Sequence, residues 1–331
     1  MDLVSLETEI FSLPSGGTGF DALLERVLRY QQEKNPVYNR YCNELVEVVH
    51  PLLPIAAFKH APVCTFPPEE AERVFESSGT GRGTRSRHFV RSLKTYEASF
   101  KSHFEALMGK GPLTLVAHLP HYSERGETSS LLYMVGRLIE HLGDVASGFF
   151  LEDTALLRKA IAHATEQEAS FVLFGAAFGL LDLVERQQWA LPAGAVVIET
   201  GGMKTYRREI TRSDLHHQLA SGFGVPANQI WSEYGMCELL SQAYAKGGSL
   251  FQPPPWMRFV VMDIENPLQQ VPDGEPGILG VYDLANLHSV SAILTEDRAV
   301  MHPGGVEILG RVTGAELRGC NFLLEHTDTS P

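Results

Sequence analysis

Apolar residues recur at helical spacing near the start of the chain, at Phe20, Leu23, Leu24, Val27 and Leu28, until Asn35 and Pro36 interrupt them. A second helical stretch is predicted over Val37 to Val49, so the chain opens on a helical hairpin. Pro51, Pro54, Pro62, Pro67 and Pro68 then impose an irregular crossing, and Arg73 to Glu76 reads as a short strand running into a loop of Ser, Thr and Gly. From Leu113 the pattern turns regular. Short apolar runs (Leu113 to Leu119, Val145 to Phe150, Ser170 to Phe174, Ala195 to Glu199, Gln229 to Glu233) alternate with helical segments such as Ser129 to His141, Ala176 to Gln187 and Ser213 to Gly222. That rhythm predicts βαβ units whose strands pair in parallel with helices on both faces, and whose ligands sit beyond the strands' carboxyl ends. After Pro253-Pro254-Pro255 only strands follow: Trp256 to Asp263, Ile278 to Tyr282, Ser291 to Leu294 and Val306 to Leu309. The expected fold class is α/β. A helical N-terminal segment and a parallel βαβ core fill residues 1–250, and a β-rich subdomain fills 251–331.

Composition narrows the classes of function. At 331 residues with 44% hydrophobic and 20% charged positions, the chain can bury roughly 75% of its unfolded surface, which excludes disorder and fibrous structure. A net charge of −13 argues against nucleic acid as the main partner, because phosphate neutralisation needs clustered Lys and Arg. The longest apolar run, Phe171 to Leu181, stops at Asp182, short of the ~20 residues a membrane span requires. Met1 to Phe11 carries Asp2, Glu7 and Glu9 with no basic segment before an apolar one, unlike a secretory signal, so the cytoplasm is the expected location. Cys42, Cys64, Cys237 and Cys320 form no CxxC pair and suit neither a disulfide framework nor a zinc site.

Candidate chemistry concentrates in loops. Residues Ser77-Ser78-Gly79-Thr80-Gly81-Arg82-Gly83-Thr84-Arg85-Ser86-Arg87 place three glycines, five hydroxyls and three arginines in eleven positions after a predicted strand. Glycines let consecutive N–H groups converge on a phosphate, hydroxyls donate further bonds and arginines add charge, so the stretch reads as a phosphate-binding loop or as a flexible basic surface loop. It lacks the Gly-Lys-Ser/Thr ending of a P-loop. Further signals follow strand ends: Gly201-Gly202-Met203-Lys204, Glu233-Tyr234-Gly235-Met236-Cys237-Glu238, Asp283, and Gly310-Arg311. Each alone also has a structural reading, as a turn, a core-edge aromatic, a cap or a surface charge. His118, His121, Tyr122, Glu124 and Arg125 crowd the loop after the first core strand and either shape a substrate pocket or include a structural histidine. His216 and His217, in mid-helix, are expected on the surface.

Taken in order, these blocks resemble the adenylate-forming superfamily, and within it the LuxE-type acyl-protein synthetases. The resemblance rests on Phe75 to His88, Glu199 to Lys204, Ser232 to Tyr244, Pro255-Trp256-Met257, Asp283 to Asn286 and Gly310 to Asn321, and so spans nearly the whole chain. It implies the large-domain fold of adenylate-forming enzymes, with ATP and magnesium as cofactors. It implies that Ser77, Ser78, Gly79, Thr80 and Gly81 hold the β and γ phosphates, that Gly201 and Gly202 pass the adenine, and that Tyr234, between Glu233 and Gly235 of the ATP-binding set, lies on its ring. Asp283 and Arg311 would bind the ribose hydroxyls, and Glu238 the magnesium. His118, His121 and Tyr122 would line the substrate pocket.

The implied reaction joins ATP and a carboxylic acid, a fatty acid in the family, into acyl-AMP. Cys320 would then take the acyl group as a thioester and pass it to an acceptor protein, an acyl reductase or a carrier. Two other readings stay open: a ligase handing acyl-AMP directly to coenzyme A, a carrier thiol or an amine, and a nucleotide-binding partner subunit without turnover. Two departures from the family's pattern stand out, since Thr-Thr-Gly is Thr80-Gly81-Arg82 and the hydroxyl before the motif glutamate is Cys237. The superfamily's C-terminal domain with a catalytic lysine is not expected after Arg311, which leaves Lys204, Arg85 or Arg87 as the cation. Cys42 and Cys64 are expected to be buried thiols.

Overall fold

The computed structural model describes residues 2–45, 47–77, 84–109, 111, 113–119, 128–201 and 210–312. In chain order its helices are α1 (Leu3–Phe11), α2 (Phe20–Lys34), α3 (Pro36–Glu44), α4 (Ala57–His60), α5 (Leu93–Met108), α6 (Ser130–Leu142), α7 (Ala155–Gln167), α8 (Ala177–Arg186) and α9 (Arg212–Phe223). The strands are β1 (Leu53–Pro54), β2 (Arg73–Glu76), β3 (Arg87–Val90), β4 (Leu113–His118), β5 (Gly148–Phe150), β6 (Ser170–Ala176), β7 (Val196–Thr200), β8 (Ile230–Tyr234), β9 (Ala243–Lys246), β10 (Leu250–Phe251), β11 (Met257–Met262), β12 (Pro276–Asp283), β13 (Ala292–His302) and β14 (Gly305–Arg311). They fall into two compact units. One holds residues 1–100, 235–242 and 252–331, the other 101–234 and 243–251.

In the first unit, strands follow one another in the antiparallel order β14–β13–β12–β11. The helical N-terminus joins these C-terminal strands, where a division at residue 250 would have set it with the parallel core. The cause is a set of long-range polar ties. Gln31, fully buried on α2, donates to the carbonyls of Asn286 (2.9 Å) and Leu287 (3.1 Å), and accepts from the Ser291 amide (2.9 Å). Asn35 caps α3 through Oδ1, which accepts from Val37 and Tyr38, while its Nδ2 donates to the Ser289 carbonyl (3.0 Å). Strand β1 then pairs in parallel with β13. Helix α3 ends at Glu44 instead of Val49. β-Branched valines disfavour continuation, and His50 precedes Pro51, a position that avoids helical backbone and here has φ of 56°.

The second unit carries the βαβ core. Its six-stranded sheet has the order β5–β4–β6–β7–β8–β9, parallel except for β9. Strand order reverses between β4 and β6, which makes the carboxyl ends of those strands the topological switch point. Parallel strands are covered on both faces and so read as continuous apolar runs. Leu173 of β6, Val197 of β7, Leu180 of α8, and Leu215, Leu219 and Phe223 of α9 pack in one buried cluster. Helices α8 and α9 approach closely at Gly222, where a Cβ atom would stand 2.3 Å from that of Val184.

Candidate active site

In the first unit, β2 and β3 form an antiparallel hairpin with Glu76 opposite Arg87. Beyond that pair, the Ser77 amide donates to the Ser86 carbonyl (3.1 Å), and the Ser86 amide donates to Ser77 Oγ (3.1 Å). Ser77 and Ser86 therefore close the end of the hairpin into a two-stranded neck. Ser77 uses its oxygen as acceptor there and keeps its hydroxyl proton for another partner. Ser78, Gly79, Thr80 and Gly81 lie outside the described residues. Of the candidate cations, Arg85 pairs with Glu76 at 3.4 Å and Arg87 stacks over Phe89, and Lys204 lies outside the described residues.

The segment Gly235 to Gln242 is gripped along its backbone. His88 Nδ1 lies 2.8 Å from the Cys237 carbonyl oxygen, and Asn286 Nδ2 donates to the Glu238 carbonyl (2.8 Å). The Leu240 amide donates to Asp283 Oδ2 and Asn286 Oδ1, both at 3.0 Å. Glu238 is thereby fixed on a rigid stretch, and its residue is 5% exposed. Burial and the neighbouring Glu238 carboxylate push the Cys237 thiol well up, so it stays an S–H donor to that carboxylate. Cys42, Cys64 and Cys237 are all buried free thiols.

Asp283 is corrected by this geometry. Its Oδ2 accepts from the Leu240 and Ser241 amides, and its Oδ1 accepts from Ser241 Oγ (2.6 Å) and the Ala285 amide (3.1 Å). With 0% exposure and four donors on its two oxygens, it has no lone pair or path left for a ribose hydroxyl. Burial outweighs those donors and raises the carboxyl to about 6. The acid that meets Arg311 is Asp297. The two are register partners across β13 and β14, with Arg311 Nε 3.8 Å from Asp297 Oδ1. Counting back from the turn at Pro303-Gly304 would pair Asp297 with Gly310. A bulge between Arg298 and Ala299 moves it one place, to Arg311.

In the second unit, β7 and β8 align Glu199 with Ser232 and Thr200 with Glu233. Thr200 Oγ1 donates to Glu233, and Ser232 Oγ donates to Glu199. His216 Nε2 reaches Ser232 Oγ at 3.1 Å and is buried, against its expected surface position, because this polar pair draws α9's histidine inward. Burial, with Glu199 adding repulsion, raises Glu233 to about 7. Bonded to Thr200, this carboxyl serves the strand pair, and the half-buried side chain of the set is Tyr234, edge-on to Phe251 at 5.9 Å. Gly201 has φ of +105° with open space where a Cβ would project, so glycine is required there by backbone conformation. Gly202 lies outside the described residues.

His118 closes β4 at the switch point. It lines an open cleft with Leu151, Glu152, Gly179, Asp182 and Arg186. Its Nε2 lies 3.1 Å from the Leu151 carbonyl, Nδ1 has no hydrogen-bond partner among the described residues, and burial followed by Arg186 holds the imidazole below its ordinary range. His121, Tyr122 and Cys320 lie outside the described residues.

A family model described as acyl-protein synthetase, LuxE, matches residues 157–328. The chain is 24% identical over 341 aligned positions, covering 91% of this chain and 86% of the relative, to a long-chain-fatty-acid–luciferin-component ligase of Aliivibrio fischeri. Among solved structures it is similar to ATP-bound MatB of Rhodopseudomonas palustris (TM-score 0.54, 18% identity, 75% of this chain and 49% of that one). It is also similar to a 2-hydroxyisobutyryl-CoA ligase in complex with its acyl adenylate and CoA (TM-score 0.63, 15% identity, 91% of this chain and 69% of that one). The fold is that of adenylate-forming enzymes, and the chain spans about half the length of MatB. Among the described residues no helix is long and apolar enough to cross a membrane.

Proposed function

The chain belongs to the LuxE acyl-protein synthetase family, and on that premise we propose that it activates a carboxylic acid, a long-chain fatty acid, with ATP and passes the acyl group to a protein thiol. A carboxylate oxygen attacks the α-phosphorus of ATP, the bond to the bridging oxygen breaks, and acyl-AMP and pyrophosphate result. Two anions must meet in that step, so fixed donors and cations have to offset the charge that builds on pyrophosphate. The observation that carries the reading is Glu238, a carboxylate on a segment whose backbone is held on both sides.

A nucleotide-borne magnesium needs only one or two protein carboxylates, because phosphates and water complete its shell. Glu238 fits that demand, and the ion would neutralise phosphate charge when bound. The Ser77–Ser86 neck presents the phosphate loop, Arg311 with Asp297 takes the ribose hydroxyls, and Tyr234 supplies an aromatic edge for adenine. The cleft at His118 receives the acid's head. Lys204, Arg85 or Arg87 supplies a further cation, and Cys320 attacks the acyl carbonyl, forming a thioester and releasing AMP. An acyl-acceptor protein then takes the group.

Cys320→Ser tests the last step apart from the first. Adenylation does not use the thiol, so acid-dependent ATP–pyrophosphate exchange should stay within about tenfold of wild type, a loss of no more than roughly 1.4 kcal/mol. Label from radioactive fatty acid should no longer be retained as a hydroxylamine-labile bond. If wild type carries no such bond, or the variant carries as much, direct transfer from acyl-AMP replaces the thioester.

A further inference from the structure

The phosphate hairpin and the segment of Glu238 are distant in sequence, and His88 joins them across 149 residues. His88 stands on β3 in register with Phe75 of β2, and it is fully buried. Its Nδ1 lies 2.8 Å from the carbonyl oxygen of Cys237, the residue before Glu238. A carbonyl can only accept, so Nδ1 carries the proton. The other ring nitrogen, Nε2, is buried without a hydrogen-bond partner among the described residues.

An imidazole half satisfied in the core is costly to keep, since each buried polar atom without a partner loses its hydration for nothing. Nor does packing call for one. The ring meets Phe58 edge to face at 5.6 Å, a contact any aromatic ring would make. The residue also lines a small pocket with Thr95 and His288, where Thr95 Oγ1 and His288 Nδ1 likewise lack partners among the described residues. The one thing the imidazole adds is its bond to Cys237.

We propose that His88 is a positioning residue for the adenylation step, a clamp that sets the Glu238 carboxylate at a fixed place relative to the phosphate hairpin. It touches no substrate. With the Cys237 carbonyl held by His88 and the Glu238 carbonyl held by Asn286, the peptide units on both sides of the Glu238 Cα are pinned. The side chain then starts from one backbone orientation, and small displacements of such a group can cost on the order of a hundredfold in rate. The inference rests on Glu238 as the magnesium ligand of the proposed reaction.

The test compares His88→Leu, which removes the donor, with His88→Asn, whose amide nitrogen can stand where Nδ1 stood. Both full-length variants are read by the magnesium concentration that half-saturates pyrophosphate exchange, and by hydrogen–deuterium exchange of the peptide covering residues 236–242. We expect His88→Leu to raise the half-saturating magnesium at least tenfold and to speed deuterium uptake in that peptide, with His88→Asn within about threefold of wild type on both. Unchanged magnesium dependence and uptake in His88→Leu would overturn the clamp, as would an Asn variant as impaired as the Leu variant. If wild type shows no pyrophosphate exchange at all, the functional reading fails, and the deuterium comparison still decides whether His88 holds the segment.

Discussion

Asp297 lies across one strand pair from Arg311 with its side chain 12% exposed, whereas Asp283 is closed in by four donors. Asp297→Asn should raise the KM for ATP about tenfold, ~1.4 kcal/mol, with little change in kcat, because a ribose contact is made equally in ground and transition states. Asp283→Ala should act on folding instead, lowering the urea midpoint by an amount worth roughly 3 kcal/mol, since it strands the buried Ser241 and Ala285 amides and takes one acceptor each from the Leu240 amide and the Ser241 hydroxyl. A stable Asp283→Ala protein with a raised KM would reverse the two roles. An acidic residue at a strand end was visible in the sequence, but the number of donors around it was not, and neither was the bulge that sets Asp297 against Arg311. Glu233 bears on pH. Its folded value, about 7, lies above the ordinary 4.5, so its stabilising contribution is complete below pH 4.5 and is lost as pH rises through 7. At about 1.36 kcal/mol per unit, wild type should lose on the order of 3 kcal/mol over that window through this group. Glu233→Gln, neutral throughout, should lack that part of the fall, so its urea stability should gain on wild type between pH 5 and 8; parallel curves would contradict the assignment.

Elements of the parallel core were legible because strands buried on both faces show as unbroken apolar runs, and β4, β6, β7 and β8 each begin and end within two residues of the predicted bounds. Shorter or polar elements were not. Strand β3 is only Arg87–Val90 and begins on a basic pair, and β13 runs on to His302 through Glu296, Asp297 and Arg298, where a reading by hydrophobicity stops at Leu294. The break between α2 and α3 was readable in Asn35-Pro36, since a capping side chain followed by Pro at the first helical position is a start signal. Asn35 does more than cap, because its amide also bonds the Ser289 carbonyl from a fully buried position. Asn35→Ala should therefore destabilise the protein by about 2–3 kcal/mol, above the ~1 kcal/mol usual for a cap alone. Chemical denaturation of the variant checks this, and a loss under 1 kcal/mol would show that the Ser289 bond contributes nothing.

At the scale of the whole molecule, a division at Pro253-Pro254-Pro255 separates βαβ rhythm from strands, yet the compact units interleave along the chain: residues 1–100 and 235–242 belong with 252–331. What ties the segments of the first unit together is polar and long-range, as in Gln31 on α2 reaching Asn286, Leu287 and Ser291, and no local pattern announces a partner 255 residues away. The segment Gly235 to Gln242 follows the same rule. It follows β8 of one unit in sequence, but the other unit's His88, Asp283 and Asn286 hold it. The motif that carries Glu238 was thus readable, and the scaffold that holds its backbone was not. The proposed reaction requires that this scaffold present Glu238 for ATP-dependent activation of a fatty acid. Its most direct test is fatty-acid-dependent ATP–pyrophosphate exchange in wild type and Glu238→Gln, a change that removes a charge and almost no volume. Exchange should require the acid in wild type and fall at least a hundredfold, ~2.7 kcal/mol, in a variant that melts within a few degrees of it. Exchange that persists in Glu238→Gln at ordinary magnesium, or that no fatty acid elicits from wild type, would contradict the proposed reaction.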